Sequence, residues 1–255
     1  MEHRDKYRSG SFDGGRRRLV RAAILAASTA FLGRLAGRSE TAAPPKESGL
    51  SFEGLLKNEP GFQPRKPAPL PLESIPGFLS KEQLARNYSV YRDAFSKLLA
   101  AESALATAPR DAAHADEYAT LRTQQVVAAN AVLLHEFYFR NLSSKPVSPS
   151  RYVRGNMLEH MGELADWRED FAACARIAKS WAALVYDPYD DRWHNVALGD
   201  GDAGGWTGAN PLVVCDVADH AWAVDYKDRE TYVARFFDHI DWNMVAARYR
   251  AVDRH

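Results

Sequence analysis

The chain has 255 residues, of which 46% are hydrophobic, and its 33 basic side chains balance its 33 acidic ones. A formal net charge of zero argues against the basic surface of a typical nucleic-acid-binding protein, so we expect no nucleic-acid partner. The length is sufficient to bury a core of ordinary size. The two cysteines, Cys174 and Cys215, lie in apolar contexts and are too few for a disulfide framework, so both are expected to be small buried residues.

Residues 1–38 are interpreted as a targeting segment, because Arg16–Arg18 precede the weakly apolar run Ala22–Gly33 and no acidic residue lies between Gly14 and Arg38. A run of about twelve residues is too short for a stable membrane span but long enough for the core of a signal peptide. Paired arginines before an apolar run resemble a twin-arginine signal, which predicts export to the periplasm. A mitochondrial transit peptide leading to the matrix and an unstructured arm are the alternatives.

Residues 39–71 are rich in proline, lysine and small side chains, which predicts a disordered linker. A hairpin of two long antiparallel helices is predicted for residues 72–150. Ser80 and Gln83 have the spacing of a capping box at the start of the first helix. The first helix is expected to run through Leu99 and to end before Pro109, and the second to cover about Asp116–Asn141.

Residues 151–255 are predicted to form a C-terminal α/β domain with a three-stranded antiparallel sheet, which gives the chain an α+β fold. The predicted helices are Met157–Gly162, Trp167–Ala178, Asp228–Phe237 and Asp241–Arg250, and the predicted strands are Trp181–Tyr186, Trp193–Leu198 and Leu212–Val217.

A carboxylate and an imidazole lie four residues apart at the end of the last predicted strand, a spacing that indicates a possible metal site. Leu212–Cys215 is a buried apolar run that leads directly into Asp216, and His220 follows four residues later. If the chain turns helically after Asp216, as the composition up to Tyr226 allows, the two side chains lie on one face and can converge on one ion. Such a donor pair suits iron, manganese or zinc. The alternative is an ordinary hydrogen-bonded or exposed pair.

The residues around this pair resemble the C-terminal half of iron/manganese superoxide dismutases, and three upstream blocks continue the resemblance in the family's order. The similarity covers roughly residues 70–252 and implies the fold of that family. The blocks are Pro76–Tyr88, His135–Leu142, Ala178–Asp187 and Leu212–Lys227 with the closing run Phe236–Trp242.

The resemblance implies a site for one iron or manganese ion per chain and the disproportionation of superoxide. The ligand positions of the family fall on Asn87, His135, Asp216 and His220, and the first of them is a histidine in the family. Further departures concern three positions around the site. Phe95 stands where the family has a gating tyrosine, and Ala131 and Ile177 stand at the two positions that can supply a glutamine.

Tyr91 lies one helical turn after Asn87 and therefore on the same helix face. One hypothesis is that its phenol fills the vacated space as a ligand or catalytic group; the alternative is that it packs between helices or at a subunit contact. The family's dimer-bridging glutamate corresponds to Asp219, and its cross-subunit tyrosine corresponds to Ala223. The resemblance therefore predicts a homodimer with an altered interface.

Three functions remain open at this point: a working superoxide dismutase, a metal-binding relative whose chemistry has changed or slowed, and a catalytically inactive scaffold that binds a partner protein. Retention of three ligand positions favours the first two. The missing imidazole and phenol favour the second over the first. The other histidines, His160, His194 and His239, match no ligand position and are expected to be surface or capping residues.

Overall fold

The computed structural model describes residues 66–200 and 205–253, all within the compact unit Ser48–His255. The predicted targeting segment 1–38 lies outside the described residues, as does the linker up to residue 65. The last part of the predicted linker, 66–71, lies against the first helix. There Ala68 donates its N–H to the Tyr91 hydroxyl at 2.8 Å and accepts from the Tyr88 hydroxyl at 3.0 Å.

The predicted helical hairpin is confirmed. Helix α1 spans Lys81–Thr107 and helix α2 spans Ala115–Arg140, with a short 3-10 turn at Ala112–His114 between them. Two hydrogen bonds fix the antiparallel register, because Tyr91 near the start of α1 meets Glu136 near the end of α2, whereas Glu102 meets Gln125 further along.

The start of α1 differs from the predicted capping box. The Ser80 hydroxyl accepts from the Gln83 N–H at 3.1 Å, as expected of an N-cap. The Gln83 side chain does not return to Ser80, whose N–H donates instead to Asp225 at 2.6 Å. Gln83 is fully buried and bonds to the chain after Asp216. A tertiary partner has therefore replaced the local one.

The C-terminal part contains the three-stranded antiparallel sheet of β1 (Trp181–Asp187), β2 (Arg192–Leu198) and β3 (Asn210–Asp216), in the order β2-β1-β3, and its last described helix is α6 (Trp242–Val252). The central strand is buried throughout, and its first residue, Trp181, lies opposite Asp216. Leu142 of the segment after α2 bridges to Ile240, and α6 packs on β3. The other α-helices of this part are α3 Arg151–Met161, α4 Leu164–Ile177 and α5 Arg229–Phe236.

After Asp216 the helical turn that the composition allows is a short 3-10 turn at Asp219–Ala221, and the next α-helix is α5. The cause is local, because Asp216 Oδ1 accepts from the Ala218 N–H at 3.1 Å. A side chain that bonds an N–H two residues ahead favours a turn over a continuing helix. Cys174 differs from expectation, since it is only partly buried, whereas Cys215 is fully buried.

A half-buried guanidinium joins α2 and β3, the two elements that carry His135 and Asp216. Arg248 of α6 donates to the carbonyls of Phe137 in α2 and Leu212 in β3, both at 2.8 Å. Burial lowers the pKa of Arg248 to about 10. Among the described residues, no helix combines the length and the apolarity that crossing a membrane requires.

Candidate metal centre

Three side chains from three elements meet where β3 ends. His135 comes from α2 and is 2% exposed, Asp216 is the fully buried last residue of β3, and His220 lies on the 3-10 turn. One nitrogen of each imidazole and one oxygen of the carboxylate all lie within 4.8 Å of one another. The predicted pair and the more distant histidine are therefore brought together.

The hydrogen bonding of His135 determines which of its nitrogens faces this cluster. Nδ1 lies 2.7 Å from the carbonyl oxygen of Ala131, and a carbonyl can only accept, so Nδ1 carries the proton. Burial lowers the pKa of His135, and this effect is larger than the increase caused by the negative charge of Asp216. At neutral pH the ring is therefore neutral, and Nε2 presents a lone pair. This is the tautomer in which a histidine binds a metal, with its other nitrogen held by a backbone carbonyl.

His135 Nε2 has no hydrogen-bond partner among residues 66–200 and 205–253. It lies 3.7 Å from Asp216 Oδ2, so a lone pair and a carboxylate oxygen face each other without a proton between them. A buried polar atom without a partner costs about 1–3 kcal/mol. A cation between the two acceptors would remove that cost, and an imidazole with a carboxylate is a donor set that iron and manganese accept. The residues present therefore fit the metal that the sequence predicts.

Asp216 is already surrounded by donors. Its Oδ2 lies 3.0 Å from His220 Nε2 and 3.1 Å from Asn87 Nδ2, and its Oδ1 accepts from the Ala218 N–H. Burial acts to lower the pKa of His220, but the hydrogen bond and charge of Asp216 outweigh it and raise that pKa. Binding of a metal by His220 Nε2 would therefore release the proton that this nitrogen shares with Asp216.

Asn87 lies at the position of the missing histidine and reaches the site. Its amide is 1% exposed and donates to Asp216, while Oδ1 has no hydrogen-bond partner within the described part of the chain. A rotation of the amide by half a turn would exchange Oδ1 for Nδ2 beside Asp216. Asn87 therefore stabilises the carboxylate as a donor and holds an unused oxygen that can serve a cation.

Tyr91 does not direct its hydroxyl into the cluster. The hydroxyl accepts from the Ala68 N–H and donates to Glu136 Oε1, both at 2.8 Å, and the ring is fully buried with its centroid 6.1 Å from that of His135. The alternative expectation, packing between helices, describes this geometry. A ligand role for Tyr91 would require both hydrogen bonds to break.

The three other altered positions lie differently relative to the cluster. Phe95 is 3% exposed and packs edge-on against Tyr91 at 6.2 Å. Ala131 contributes its carbonyl to His135. Ile177 is 77% exposed at the end of α4. None of these side chains can donate a hydrogen bond to a metal-bound solvent molecule.

The cluster has an apolar and aromatic wall on the side of the sheet. Trp181 presents its edge to His135 at 4.8 Å between ring centroids, and the two imidazoles lie 5.8 Å apart at an interplanar angle of 25°. Of the three candidate ligands, His220 alone contacts solvent appreciably, with 24% of its side chain exposed. Such an environment strengthens electrostatic interactions between the donors and a bound cation.

A second group of possible ligands, Asp187, Asp190 and His194, lies at the β1–β2 turn. Its polar atoms have partners of their own: Asp187 accepts from the Tyr189 N–H and from Trp206 Nε1, and His194 pairs with Asp190 at 2.8 Å. These bonds account for the group as a hairpin network. The unpartnered His135 Nε2 distinguishes the first cluster from it.

Sequence reasoning missed two side chains that support the site, Gln83 and Arg248. Gln83 precedes Asn87 by one helical turn, so the helix periodicity that directed attention to Tyr91 also indicated this position. For Arg248 the sequence offered no signal, because its partners Phe137 and Leu212 are distant in the chain.

Comparison with known proteins agrees with this geometry. A family model described as iron/manganese superoxide dismutases, C-terminal domain, matches residues 149–248. Superoxide dismutase [Mn] 2 of Halobacterium salinarum is 35% identical over 118 residues, which cover 46% of this chain and 59% of that protein. Superoxide dismutase [Fe] of Aquifex pyrophilus is 32% identical over 135 residues, or 52% of this chain and 63% of that protein.

A longer but weaker match is superoxide dismutase [Mn] of Haloarcula marismortui, 26% identical over 186 residues, which cover 72% of this chain and 91% of that protein. The chain spans only about three fifths of the length of the first manganese relatives that it matches, 59% and 60%. The helical hairpin, the three-stranded sheet and the matched C-terminal domain agree with one another. The chain is similar to iron/manganese superoxide dismutases, and residues 149–248 match the C-terminal domain of that family.

Proposed function

We propose that the chain binds one iron or manganese ion through His135, Asp216 and His220 and disproportionates superoxide. The observation that carries this proposal is the bare Nε2 of His135, buried 3.7 Å from a carboxylate oxygen and without a hydrogen-bond partner among the described residues. The names of the relatives, superoxide dismutases with manganese or iron, support the same metals here.

A bound iron or manganese ion supplies a one-electron couple, so that one superoxide is oxidised to O2 while a second takes up one electron and two protons to become H2O2. The residues of the chain determine how well the ion is held and where the protons come from. The Ala131 carbonyl keeps the His135 lone pair directed at the ion. Asp216 supplies the negative charge, and Asn87 holds one of its oxygens.

Proton supply is the weak point of this site. Phe95 has no hydroxyl, and the Tyr91 hydroxyl donates a hydrogen bond to Glu136 of α2 instead of pointing into the cluster. With no phenol to relay protons, solvent that enters past His220 is the proposed proton source. We therefore expect turnover to be slower than in relatives with an intact tyrosine, since proton transfer by a positioned group contributes about 10²–10⁴-fold to a rate.

A catalytically inactive, partner-binding scaffold is the second candidate, and one observation favours it. Asp216 already accepts from Asn87, Ala218 and His220, so its charge has partners without any metal. The same set leaves His135 Nε2 without one. The metal-binding proposal accounts for both residues, whereas the scaffold accounts only for the carboxylate.

Assembly and location complete the proposal. Asp219 and Ala223, at the family's dimer-contact positions, are exposed and available to a second copy, which supports a homodimer whose contacts differ from those of the family. Residues 1–38 are proposed to direct export to the periplasm, with the mitochondrial matrix as the alternative. Sedimentation of the full chain tests the first proposal, and fractionation of cells expressing a tagged full chain tests the second.

The function is tested on the full chain produced in iron-replete and in manganese-replete medium. Metal content and superoxide consumption are measured on the same samples, together with the variants His135→Ala and Asp216→Ala. His194→Ala is the matched control, because it removes an imidazole from the hairpin network only. Metal with measurable superoxide consumption, both lost in the first two variants, supports the enzyme; bound metal without consumption supports a relative with altered chemistry; absence of metal supports the scaffold.

A further inference from the structure

The turn that carries His220 is held from α1 by a single buried amide. Gln83 Nε2 donates to the His220 carbonyl at 2.6 Å, and Gln83 Oε1 accepts from the Val224 N–H at 2.9 Å. The orientation of the amide is fixed, because a carbonyl requires a donor and an N–H requires an acceptor. Gln83 is 0% exposed, so both bonds lie away from water.

This amide lies on the same face of α1 as the residue that contacts the carboxylate. Gln83 and Asn87 are separated by one helical turn; Asn87 bonds the Asp216 side chain, and Gln83 bonds the main chain at His220. Helix α1, whose own ligand position is an asparagine, thus contacts the Asp216 side chain at the end of β3 and the main chain of His220 in the turn that follows.

We propose that Gln83 is a positioning residue that holds the His220 imidazole at the distance from Asp216 and His135 that a metal ion requires. The inference rests on the proposed metal site and adds to it a residue that acts through His220 and does not touch the ion. Outer residues that orient a ligand typically change metal affinity by about 10–100-fold.

The segment after the turn makes other hydrogen bonds to residues at the start of α1. Loss of the Gln83 hydrogen bonds can therefore be distinguished from unfolding of the segment. Asp225 accepts from the Ser80 N–H at 2.6 Å, and the Tyr226 hydroxyl donates to the Phe78 carbonyl at 2.8 Å. Both contacts lie beyond Val224 and remain when the Gln83 amide is lost. The stretch from His220 to Val224 then loses its two hydrogen bonds to α1 and keeps those within the turn, such as Trp222 Nε1 to the Val217 carbonyl, while the segment stays docked on the start of α1.

The test uses the full chain with Gln83→Met, which keeps the length of the side chain and removes both hydrogen bonds. Gln83→Asn serves as the second variant, because it stays polar and is too short to reach both partners; it also keeps the test valid if Gln83→Met does not fold. Gln125→Met is the matched control, since the Gln125 amide likewise bonds a different element: it joins α2 to Glu102 of α1, away from the site.

Two quantities are measured on each protein: the Mn²⁺ dissociation constant, by competition with a chelator, and hydrogen exchange of the Val224 amide in metal-free protein. We expect Mn²⁺ affinity to fall about 10–100-fold in both Gln83 variants and to stay unchanged in Gln125→Met, with faster exchange at Val224 in the Gln83 variants only. The electron paramagnetic resonance spectrum of bound Mn²⁺ should also change in the Gln83 variants. A loss of stability alone does not change this spectrum.

Unchanged Mn²⁺ affinity and spectrum in folded Gln83 variants would overturn the inference while leaving the metal site intact. If the unaltered chain binds neither manganese nor iron, the proposed function fails and the positioning role fails with it. Exchange at Val224 still reports in that case whether the hydrogen bonds themselves exist, so the two failures are distinguishable.

Discussion

The Asn87 amide donates a 3.1 Å hydrogen bond to Asp216 Oδ2, the same oxygen that lies 3.0 Å from His220 Nε2. The residue at the family's first ligand position therefore faces the site as a hydrogen-bond donor. A donor at this position stabilises the carboxylate whether or not a metal is bound. Its side-chain oxygen, which has no hydrogen-bond partner among the described residues, can still coordinate a metal ion.

Replacing Asn87 with histidine should restore a fourth strong ligand. We expect Asn87→His to raise Mn²⁺ affinity by at least about tenfold, because imidazole is a stronger ligand than an amide oxygen for a first-row ion. Competition with a chelator measures the change. Asn156→His on α3 is the control, since its side chain bonds only the Tyr152 carbonyl. An affinity unchanged in Asn87→His would mean that position 87 does not reach the ion.

Removing the metal should destabilise the folded chain. A ligand present at a hundred times its Kd stabilises the folded state by about 2.7 kcal/mol. We therefore expect the Tm to fall on treatment with a chelator and to recover when manganese or iron is restored, as followed by circular dichroism. In His135→Ala the chelator should have no effect, and a drop of equal size in that variant would place the stabilising metal elsewhere.

Loss of the Tyr91 hydroxyl should affect stability and leave the metal in place. Tyr91→Phe leaves Glu136 and the Ala68 N–H without this partner, which should cost about 1–3 kcal/mol of unfolding free energy in urea. Metal content should not change, and the iron-loaded wild-type protein should show no visible absorption from a ferric phenolate. Such a band, lost in Tyr91→Phe, would instead assign Tyr91 as a ligand.

Arg248 should be required for the mutual position of α2 and β3. Arg248→Met removes the guanidinium that bonds both carbonyls; Phe137 keeps the Asn141 N–H at 3.1 Å, so we expect a loss of unfolding free energy of about 1–3 kcal/mol. Arg250→Met is the control, because that exposed guanidinium lies over the Tyr152 ring. Equal losses in the two variants would contradict a specific role for Arg248.

The parts of the fold that could be predicted from the sequence are those with local causes. The Ser80 cap, the apolar run before Asp216 and the i,i+4 spacing to His220 all act within a few residues, and the strands follow from their apolar runs. Recognition of the family located His135, which no local pattern distinguishes from other helical histidines. A helical turn after Asp216 was treated only as a condition, and the pattern could not show that the Asp216 side chain bonds the Ala218 N–H and that a 3-10 turn follows.

The rest depends on partners that are far apart in the chain. Gln83 fits a capping box by spacing, yet its amide bonds the main chain at His220 and Val224. The Tyr91 hydroxyl was expected either at the metal or between helices, and the presence of Glu136 on the facing helix decides for the latter. Such choices follow from the register of α1 against α2, which side-chain patterns along one helix do not contain.

The central claim is that His135, Asp216 and His220 hold an iron or manganese ion, and elemental analysis of the full chain tests it most directly. After production in medium replete with both metals, we predict about one ion of iron and manganese combined per chain, reduced to a trace in His135→Ala and retained in His194→Ala. A wild-type chain without either metal, or a His135→Ala variant that keeps its metal, would contradict the claim.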